Sequence, residues 1–436
     1  MQGKYFINTY GCQMNVHESE KLAGILRKNG YEEAPSIDNA DIVVFNTCCV
    51  RETAEYRVLG NLGIVKKLKE SRPWLKVVVC GCMAQKPGAE AALKKRCPFI
   101  NLIFGTHNLH KFGEYLNRLN TDKYIGEIWE KENEIAEDVP IYRTSGVNAW
   151  VNIMYGCNNF CSYCIVPYVR GRERSRSADR ICDDVKNLLN EGYKEITLLG
   201  QNVNSYGNDL TGEHLNFAEL LERLSLIDGK YKIKFMTSHP KDLSEEVVKT
   251  IAASDKLADY IHLPVQAGSD RILRLMNRKY TKADYLKKID MIRKYIPAVG
   301  LSSDVMVGFP TETEEDFLET VDVIKRVGYN NLFTFIYSKR SGTPAVAMDQ
   351  VDAGTKKERI KRLIDLQFSI GNREAENCVG KTYEVLCDAW ADGKAKGKSS
   401  CEKAITFKSD KNVLGQFVNV KITGTKNNQL KGELTD

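Results

Sequence analysis

Three cysteines within eight residues constrain this chain more than any other feature of its sequence. The segment reads Cys157-Asn-Asn-Phe-Cys161-Ser-Tyr-Cys164, so one loop can wrap a single inorganic cluster. Iron-sulfur clusters are normally held by four cysteine thiolates, and a loop with three leaves one iron open to a small molecule. An open coordination position is typical of a catalytic site. The alternative is a structural zinc knuckle, which needs a fourth Cys or His nearby.

Aromatic residues precede the second and third of these cysteines, at Phe160 and Tyr163. With this spacing, the loop resembles the signature of radical S-adenosylmethionine (SAM) enzymes. The resemblance implies that the open iron of a [4Fe-4S] cluster binds the amino and carboxylate groups of SAM. An electron from the cluster would then cleave SAM to a 5′-deoxyadenosyl radical.

Four arginines follow the loop at alternate positions: Arg170, Arg172, Arg174 and Arg176. A basic run beside a reactive centre can attract an anionic substrate, and guanidinium groups pair well with phosphate. The alternative is a set of internal ion pairs with Glu173, Asp179 or Asp183. We expect a mixture, with at least one of the four arginines on a phosphate.

Size and composition indicate a large protein of the cytosolic type. At 436 residues the chain suggests two or three domains, and its net charge of +6 permits a nucleic-acid partner without establishing one. Thirteen cysteines, an odd number, indicate metal or redox chemistry and not a disulfide framework. We expect a cytoplasmic protein with no membrane span, because no run of eighteen apolar residues and no secretory segment occurs.

Residues 4–105 show a repeating strand-helix pattern in which three strands run into cysteines. Lys4 to Thr9 leads to Cys12, Asp41 to Asn46 leads to Cys48, and Lys76 to Cys80 leads to Cys82. In a parallel sheet with right-handed crossovers these loops lie on one edge, so Cys12, Cys48 and Cys82 can converge on a second cluster. The alternative is that they are small buried thiols, since Cys is among the most buried residue types.

The pattern restarts near residue 148 with six strand-helix units, which predicts a partial (β/α) barrel. Chemistry in such barrels lies at the carboxyl ends of the strands. Polar groups there are candidate contacts for SAM: Gly200, Gln201, Ser238, Gln266 and Asp304. From Lys381 onward, short alternating strands, glycine turns and ten lysines predict a small β-barrel that binds RNA or serves only as a scaffold.

The sequence therefore predicts an α/β protein with a terminal β-barrel. We expect a Rossmann- or flavodoxin-like cluster domain over residues 1–122, a linker over 123–142, a partial (β/α)6 radical SAM core over 143–374 and a β-barrel over 376–436. The linker is expected because residues 121–139 are acidic and weakly periodic.

The motifs taken together resemble the methylthiotransferase family over essentially the full length. They are Thr9-Tyr-Gly-Cys12-Gln-Met-Asn15, Asn46-Thr-Cys48 with Arg51-Glu52 behind it, Gly81-Cys82-Met-Ala-Gln85 and the radical SAM loop. The segments Ile165 to Arg176, Gly200 to Gly207 and His262 to Ser269 look most like the tRNA branch of that family.

The resemblance implies a radical SAM transferase that modifies tRNA, with a terminal domain of the TRAM type. It would place a methylthio group on carbon 2 of the N6-isopentenylated adenosine that is 3′-adjacent to the anticodon, using two [4Fe-4S] clusters and two SAM molecules. One SAM would methylate a sulfur on the Cys12, Cys48 and Cys82 cluster, and the second would give the radical. Implied partners are the tRNA anticodon arm, a flavodoxin- or ferredoxin-like electron donor and a sulfur source.

Two departures and two other functions stay open. Cys49 and Cys80 stand beside expected ligands and are conceivable substitutes, and Gly397 to Lys403 replaces an expected arginine-rich run. The same chemistry could act on a threonylcarbamoylated tRNA adenosine or on an aspartate of a ribosomal protein. A non-enzyme, a two-cluster redox sensor or electron carrier with an RNA-binding tail, would need no open iron.

Overall fold

The computed structural model describes residues 3–49, 52–131, 135–143, 146–211 and 215–435, without the side chains of residues 52–54. Arg51 of the second cysteine motif, and residues 132–134 of the expected linker, lie outside these ranges. Within the ranges, every helix is too short or too polar to traverse a lipid bilayer.

The N-terminal part alternates strands and helices. In chain order they are β1 (Gly3–Thr9), α1 (Gln13–Lys28), β2 (Tyr31–Glu33), β3 (Ile42–Thr47), α2 (Glu52–Ser71), β4 (Lys76–Gly81), α3 (Ala89–Arg96), β5 (Leu102–Phe104), α4 (Phe112–Arg118) and β6 (Ile125–Glu127). All pairs are parallel and the order is β2-β1-β3-β4-β5-β6, a flavodoxin-like arrangement. Every residue of β3 is buried, as expected for a strand covered on both faces.

One short strand of this sheet falls within the segment that the sequence assigned to the linker. Strand β6 pairs with β5 in the same sheet, although residues 125–127 fall in the expected linker. Three residues are too few to give a periodic pattern, so only the pairing identifies the strand. We propose a domain boundary after Glu127 in place of residue 122.

The central part contains the partial barrel and a small hairpin. In chain order its elements are β7 (Asn148–Asn152), β8 (Met154–Tyr155), α5 (Val166–Arg170), β9 (Arg174–Ser175), α6 (Ala178–Asn190), β10 (Glu195–Leu199), α7 (Phe217–Ser225), β11 (Lys232–Phe235), α8 (Glu245–Ala252), β12 (Tyr260–His262), α9 (Asp270–Leu275), α10 (Lys282–Tyr295), β13 (Gly300–Val307), α11 (Glu314–Val327), β14 (Asn331–Ile336) and α12 (Ala353–Glu376).

Two three-stranded parallel sheets form the barrel wall. Their orders are β11-β10-β7 and β12-β13-β14. A parallel bridge between Ile233 and Leu257 joins them, so the wall runs from β7 to β14 as an open barrel. This confirms the partial barrel that the sequence predicted, whereas the hairpin of β8 and β9 was missed because each strand has two residues.

The last part is a closed five-stranded barrel of β15 (Thr382–Ala391), β16 (Lys394–Ser399), β17 (Ala404–Lys408), β18 (Phe417–Lys426) and β19 (Gln429–Leu434). Its order is β15-β16-β17-β19-β18. A terminal β-barrel was predicted, but β16 was not, because its alternating lysines carry few apolar residues.

This terminal barrel docks on the amino-terminal ends of the central strands. Lys234 of β11 lies 2.6 Å from Glu195 of β10 and 2.9 Å from Glu402 of the terminal barrel. A cavity of about 630 Å³ extends from these side chains to Asn331 and Gln367. The opposite, carboxyl-terminal ends of the central strands therefore remain available for a site.

Candidate functional site

The first cysteine site lies at the carboxyl edge of the N-terminal sheet. Cys12 follows β1, Cys48 follows β3 and Cys82 follows β4, and these strands are neighbours. Gly11 has a φ of +126°, and a Cβ there would lie 2.7 Å from Cβ of Cys48. The loops thus approach more closely than a side chain at position 11 would permit.

Two buried asparagines fix these loops relative to one another. The side-chain amide of Asn15 donates to the Thr47 carbonyl at 3.1 Å. The amide of Asn46 donates to the Asn15 carbonyl at 2.8 Å, and the Cys82 N–H donates to the Thr47 carbonyl at 2.9 Å. Backbone polar groups of all three loops are therefore tied together.

Cys82 has the chemistry of a thiolate ligand. The pKa of the Cys82 thiol is lowered to about 7, because a hydrogen bond from Cys49 and the charge of Arg170 together outweigh the effect of burial. The same hydrogen bond and burial raise the pKa of Cys49 well above its ordinary range. Cys80 packs in the apolar core beneath the sheet with Leu22. These placements favour Cys82 over Cys80 as a ligand.

Cys12 is the most exposed of the three and Cys48 is buried. Desolvation raises the pKa of the Cys12 thiol, while the charge of Arg170 lowers it and that of Cys82 raises it. Cys12 is therefore close enough to Cys82 for their charges to interact.

The second site is the loop between β8 and α5 with Cys157, Cys161 and Cys164. Gly156 has a φ of +78°, and a Cβ there would lie 1.9 Å from the Arg172 carbonyl oxygen. The Asn158 N–H donates to Oε1 of Glu173 at 3.1 Å, and the Glu173 N–H donates to Oδ1 of Asn158 at 3.3 Å. These two hydrogen bonds close the loop. Glu173, considered above as an arginine partner, thus holds the cysteine loop.

A buried guanidinium lies against this second loop. Nη1 of Arg278 is 3.4 Å from Sγ of Cys161, and Nη2 donates to the Pro264 carbonyl at 2.8 Å. Burial raises the pKa of Cys157 to about 11 and that of Cys164 to about 12. Both thiols are therefore neutral at pH 7 without iron, and cluster binding has to release their protons.

The donor sets fit clusters of the kind the sequence predicted. In the described ranges, no three or more His, Cys, Asp or Glu side chains surround one position closely enough for a single metal ion. A [4Fe-4S] cluster needs a wider arrangement, because each cysteine binds a different iron. Each set of three thiols has a buried guanidinium at one sulfur, and Cys12 and Cys82 are close enough for their charges to interact, which suits such a wider arrangement.

The five candidate SAM residues lie at or near the carboxyl ends of the barrel strands. Gly200 and Gln201 follow β10, Ser238 comes after β11, Gln266 comes after β12, and Asp304 lies within β13. Gln201 accepts a hydrogen bond from the Gly156 N–H, so it also positions the cysteine loop. Contact of these residues with SAM stays a prediction.

Buried polar atoms at the same strand ends fit a polar cofactor. Among the described residues, no partner is present for Oδ1 of Asn152, Oδ1 of Asn202, Oγ of Ser238 and Nε2 of His239. Burial lowers the pKa of His239 to about 2, so its ring is neutral at pH 7. Buried polar groups are normally hydrogen-bonded, and the amino, carboxylate and hydroxyl groups of SAM would supply partners.

The arginine run divides into buried and exposed members, and binding of substrate by any of the four stays a prediction. Arg170 is only 5% exposed and is held by Glu18. Arg176 is 8% exposed and binds Glu137 and Asp184. Asp179 and Asp183, which were considered above as alternative partners, instead pair with Arg223 and Lys186.

Arg172 and Arg174 differ from these two. Arg172 is exposed, with its guanidinium 4.4 Å from the centre of the Phe160 ring. Nη2 of Arg174 donates to the Arg170 carbonyl at 3.3 Å. Arg172 is therefore the member of the run that best retains the predicted role.

Sequence reasoning missed Glu18 and Arg278. Glu18 lies one turn after Asn15 on α1, and Arg278 is more than a hundred residues from the cysteine that it contacts. No local pattern marks Arg278. A charged residue on the apolar side of a helix was the available signal for Glu18.

Two family descriptions match the chain. Residues 151–324 match the Radical SAM superfamily, and residues 4–105 match Uncharacterized protein family UPF0004. The two matches cover the two cysteine sites separately.

Curated relatives match over nearly the full length. The tRNA-2-methylthio-N(6)-dimethylallyladenosine synthase of Clostridium botulinum (strain Okra / Type B1) is 51% identical over 99% of this chain and 97% of that relative. The synthase of the same name from Acetivibrio thermocellus is 49% identical over 99% of this chain and 90% of that relative.

Solved structures share the fold at low sequence identity. The radical SAM methyltransferase TsrM from Kitasatospora setae, with cobalamin and a [4Fe-4S] cluster bound, has a TM-score of 0.59 at 15% identity, covering 95% of this chain and 82% of that chain. The cobalamin-dependent SAM radical enzyme OxsB has a TM-score of 0.53 at 12% identity, covering 84% and 58%.

Proposed function

This chain belongs to the tRNA-2-methylthio-N(6)-dimethylallyladenosine synthase family, and from that premise we propose that it adds a methylthio group to carbon 2 of an N6-isopentenylated adenosine in tRNA. The observation that carries the proposal is 51% identity across 99% of the chain. The contact between Arg170, which lies six residues after Cys164, and Cys82 of the other cysteine set supports it.

The chemistry explains why such a protein needs two sites. An aromatic C–H bond carries no acidic proton, so general acid-base catalysis is poorly suited to replacing it. Two [4Fe-4S] clusters and two SAM molecules, when bound, would supply the electron, the radical and the methyl group. We assign Cys157, Cys161 and Cys164 to the SAM-binding cluster.

Cys12, Cys48 and Cys82 would hold the auxiliary cluster. Cys49 and Cys82 form one buried apolar cluster with Ile165 and Val169, which follow the barrel cysteine loop, and this cluster would limit the access of water there. Keeping water out protects a radical intermediate from side reactions.

For the substrate we propose the tRNA anticodon arm, whose single-stranded bases can be splayed out and stacked on aromatic rings or arginine. Arg172 and the ring of Tyr168, which is 44% exposed, stand beside the SAM-binding loop. The lysine-rich terminal barrel would hold a further part of the arm as a TRAM domain. The reaction also requires an external sulfur source and a flavodoxin- or ferredoxin-like electron donor, in the cytoplasm.

The decisive experiment is mass analysis of tRNA nucleosides from cells that lack the protein. We expect the 2-methylthio nucleoside to disappear and N6-isopentenyladenosine to accumulate, with restoration by the parent gene. A change confined to threonylcarbamoyladenosine would indicate the other tRNA substrate. Unchanged tRNA would contradict the proposal.

A Cys12→Ala variant separates the two sites. It should lose methylthio transfer and keep reductive cleavage of SAM, because only the barrel cluster contacts the SAM that is cleaved. Both products are assayed on the reconstituted enzyme. Loss of SAM cleavage with an intact barrel cluster would contradict this division.

A further inference from the structure

Arg170 is supplied by one domain to the metal site of the other. It ends α5, the helix directly after the barrel cysteine loop, and its guanidinium lies among residues of the N-terminal domain. Nε is 3.2 Å from Sγ of Cys82. The Nη groups bind both carboxylate oxygens of Glu18 on α1, with Nη2 to Oε2 at 3.0 Å.

The contact between Arg170 and Cys82 is shielded from bulk solvent. Arg170 and Glu18 are 5% and 4% exposed, and Cys49, Cys82, Ile165 and Val169 form one buried apolar cluster. Oγ1 of Thr106 donates to the Val169 carbonyl at 2.6 Å, which fixes the end of α5 against the N-terminal domain. A hydrogen bond from a charged donor is stronger in such a medium than in water.

The barrel site contains a comparable contact from within its own domain. Arg278 places Nη1 3.4 Å from Sγ of Cys161. Each three-cysteine set thus has one buried guanidinium at one sulfur, but only the Arg170 contact crosses between domains. Hydrogen bonds to cluster sulfurs are among the factors that set reduction potentials.

We propose that Arg170 is a positioning residue that raises the reduction potential of the auxiliary cluster. Because Arg170 belongs to the central domain, that potential then depends on the contact between the central and N-terminal domains. Glu18 orients the guanidinium. The N–H donor and the positive charge both stabilise an added electron at the Cys82 side of the cluster. This inference rests on the proposed function, because it takes the cluster at Cys12, Cys48 and Cys82 from it.

The test is a redox titration, followed by electron paramagnetic resonance, of the full-length enzyme with both clusters reconstituted. Arg170→Gln should lower one of the two potentials by at least about 59 mV, a tenfold change for one electron. Arg278→Gln, the matched control, should lower the other potential and leave the first. Arg170→Lys, which keeps the charge without the planar fork, should restore part of the shift.

Arg170→Gln leaves the buried Glu18 without a partner and can for that reason fail to fold. The double variant Arg170→Gln with Glu18→Gln removes both buried charges, and it should show the same lowering of the reduction potential. Both potentials unchanged in variants with full iron content would overturn the inference. A parent enzyme that loads only the barrel cluster would instead contradict the proposed function, so the two failures are distinguishable.

Discussion

At the scale of single residues, burial decides what each arginine of the run does. Arg170 and Arg176 are removed from water and therefore need carboxylate partners, which Glu18 and Glu137 provide. Arg172 stays at the surface beside Phe160. The same residue type, at alternate positions, thus serves the interior and the surface.

Arg172→Ala should make the slope of log binding constant against log salt concentration for tRNA shallower by roughly one unit, because one phosphate contact and its counterion are lost. The measurement is the dissociation constant over a series of salt concentrations. Arg326→Ala, a variant of an arginine 61% exposed on the outer helix α11, is the control and should keep the parent slope. Unchanged slopes in both Arg172→Ala and Arg174→Ala would contradict an RNA role for the run.

Glu20 and His17 form a second buried pair on α1, with Nδ1 and Oε2 3.0 Å apart. Burial raises the pKa of Glu20 to about 7 from its ordinary value of 4.5. Burial also lowers the pKa of His17 well below its ordinary range. Between pH 4.5 and 7 the folded protein therefore holds a proton on Glu20 that the unfolded chain has released.

The stabilisation from this proton is present below pH 4.5 and is lost as the pH rises to about 7. Glu20→Gln removes the titration, so the variant should gain stability relative to the parent as the pH rises through that range, by about 1–3 kcal/mol after allowing for solvent screening. Urea unfolding from pH 5 to pH 8 measures this. Glu191→Gln at an exposed site should parallel the parent, and a parallel Glu20→Gln curve would refute the prediction.

At the scale of elements, each cysteine site is built by a different kind of chain segment. The barrel site is a single loop. Its conformation is fixed by Gly156 and by the hydrogen bonds between Asn158 and Glu173. The N-terminal site needs three strand ends that are separated in sequence. A change in one loop should therefore affect its own site first.

The reconstituted enzyme should bind about eight irons, as two [4Fe-4S] clusters. Changing Cys157, Cys161 and Cys164 together to Ala should leave about half of that iron. Iron and sulfide analysis with absorption spectra measures the loss. Cys182→Ala on α6 is the control and should retain all the iron, whereas full iron in the triple variant would contradict the assignment.

At the scale of the whole molecule, a buried charge network joins the terminal barrel to the central one. Lys234 is shared by Glu195 and Glu402, and Lys398 lies 2.9 Å from Glu402. These side chains sit at the amino-terminal ends of the strands, away from the cysteine loop. The network therefore fixes where the terminal barrel stands relative to the candidate site.

Lys234→Met should lower the free energy of unfolding by about 3–5 kcal/mol, because it leaves the buried Glu195 carboxylate without its cation and Glu402 with Lys398 alone. Lys230 and Glu384 form an exposed pair across the same contact, and Lys230→Met should cost less than about 1 kcal/mol. Urea unfolding and hydrogen exchange in the terminal barrel measure both. Equal effects of the two substitutions would contradict the role of the network.

The sequence by itself determined the features that depend on local patterns. Apolar periodicity predicted the order of the strand-helix units, and strands β1, β3 and β4 were placed within one or two residues. Cys157, Cys161 and Cys164 lie within eight residues, so the sequence alone identified the loop. The placement of Cys12, Cys48 and Cys82 at one edge of the sheet followed from the handedness of crossovers, which is a general rule.

Only the tertiary structure decided which charged groups are buried and what they contact. Glu18 meets Arg170, and Arg278 meets Cys161, across separations of more than a hundred residues. The short strand β6, which extends the first sheet, is defined by its hydrogen bonds to β5. Such contacts depend on how completed elements pack together, and local propensity carries no information about the partner that packing will supply.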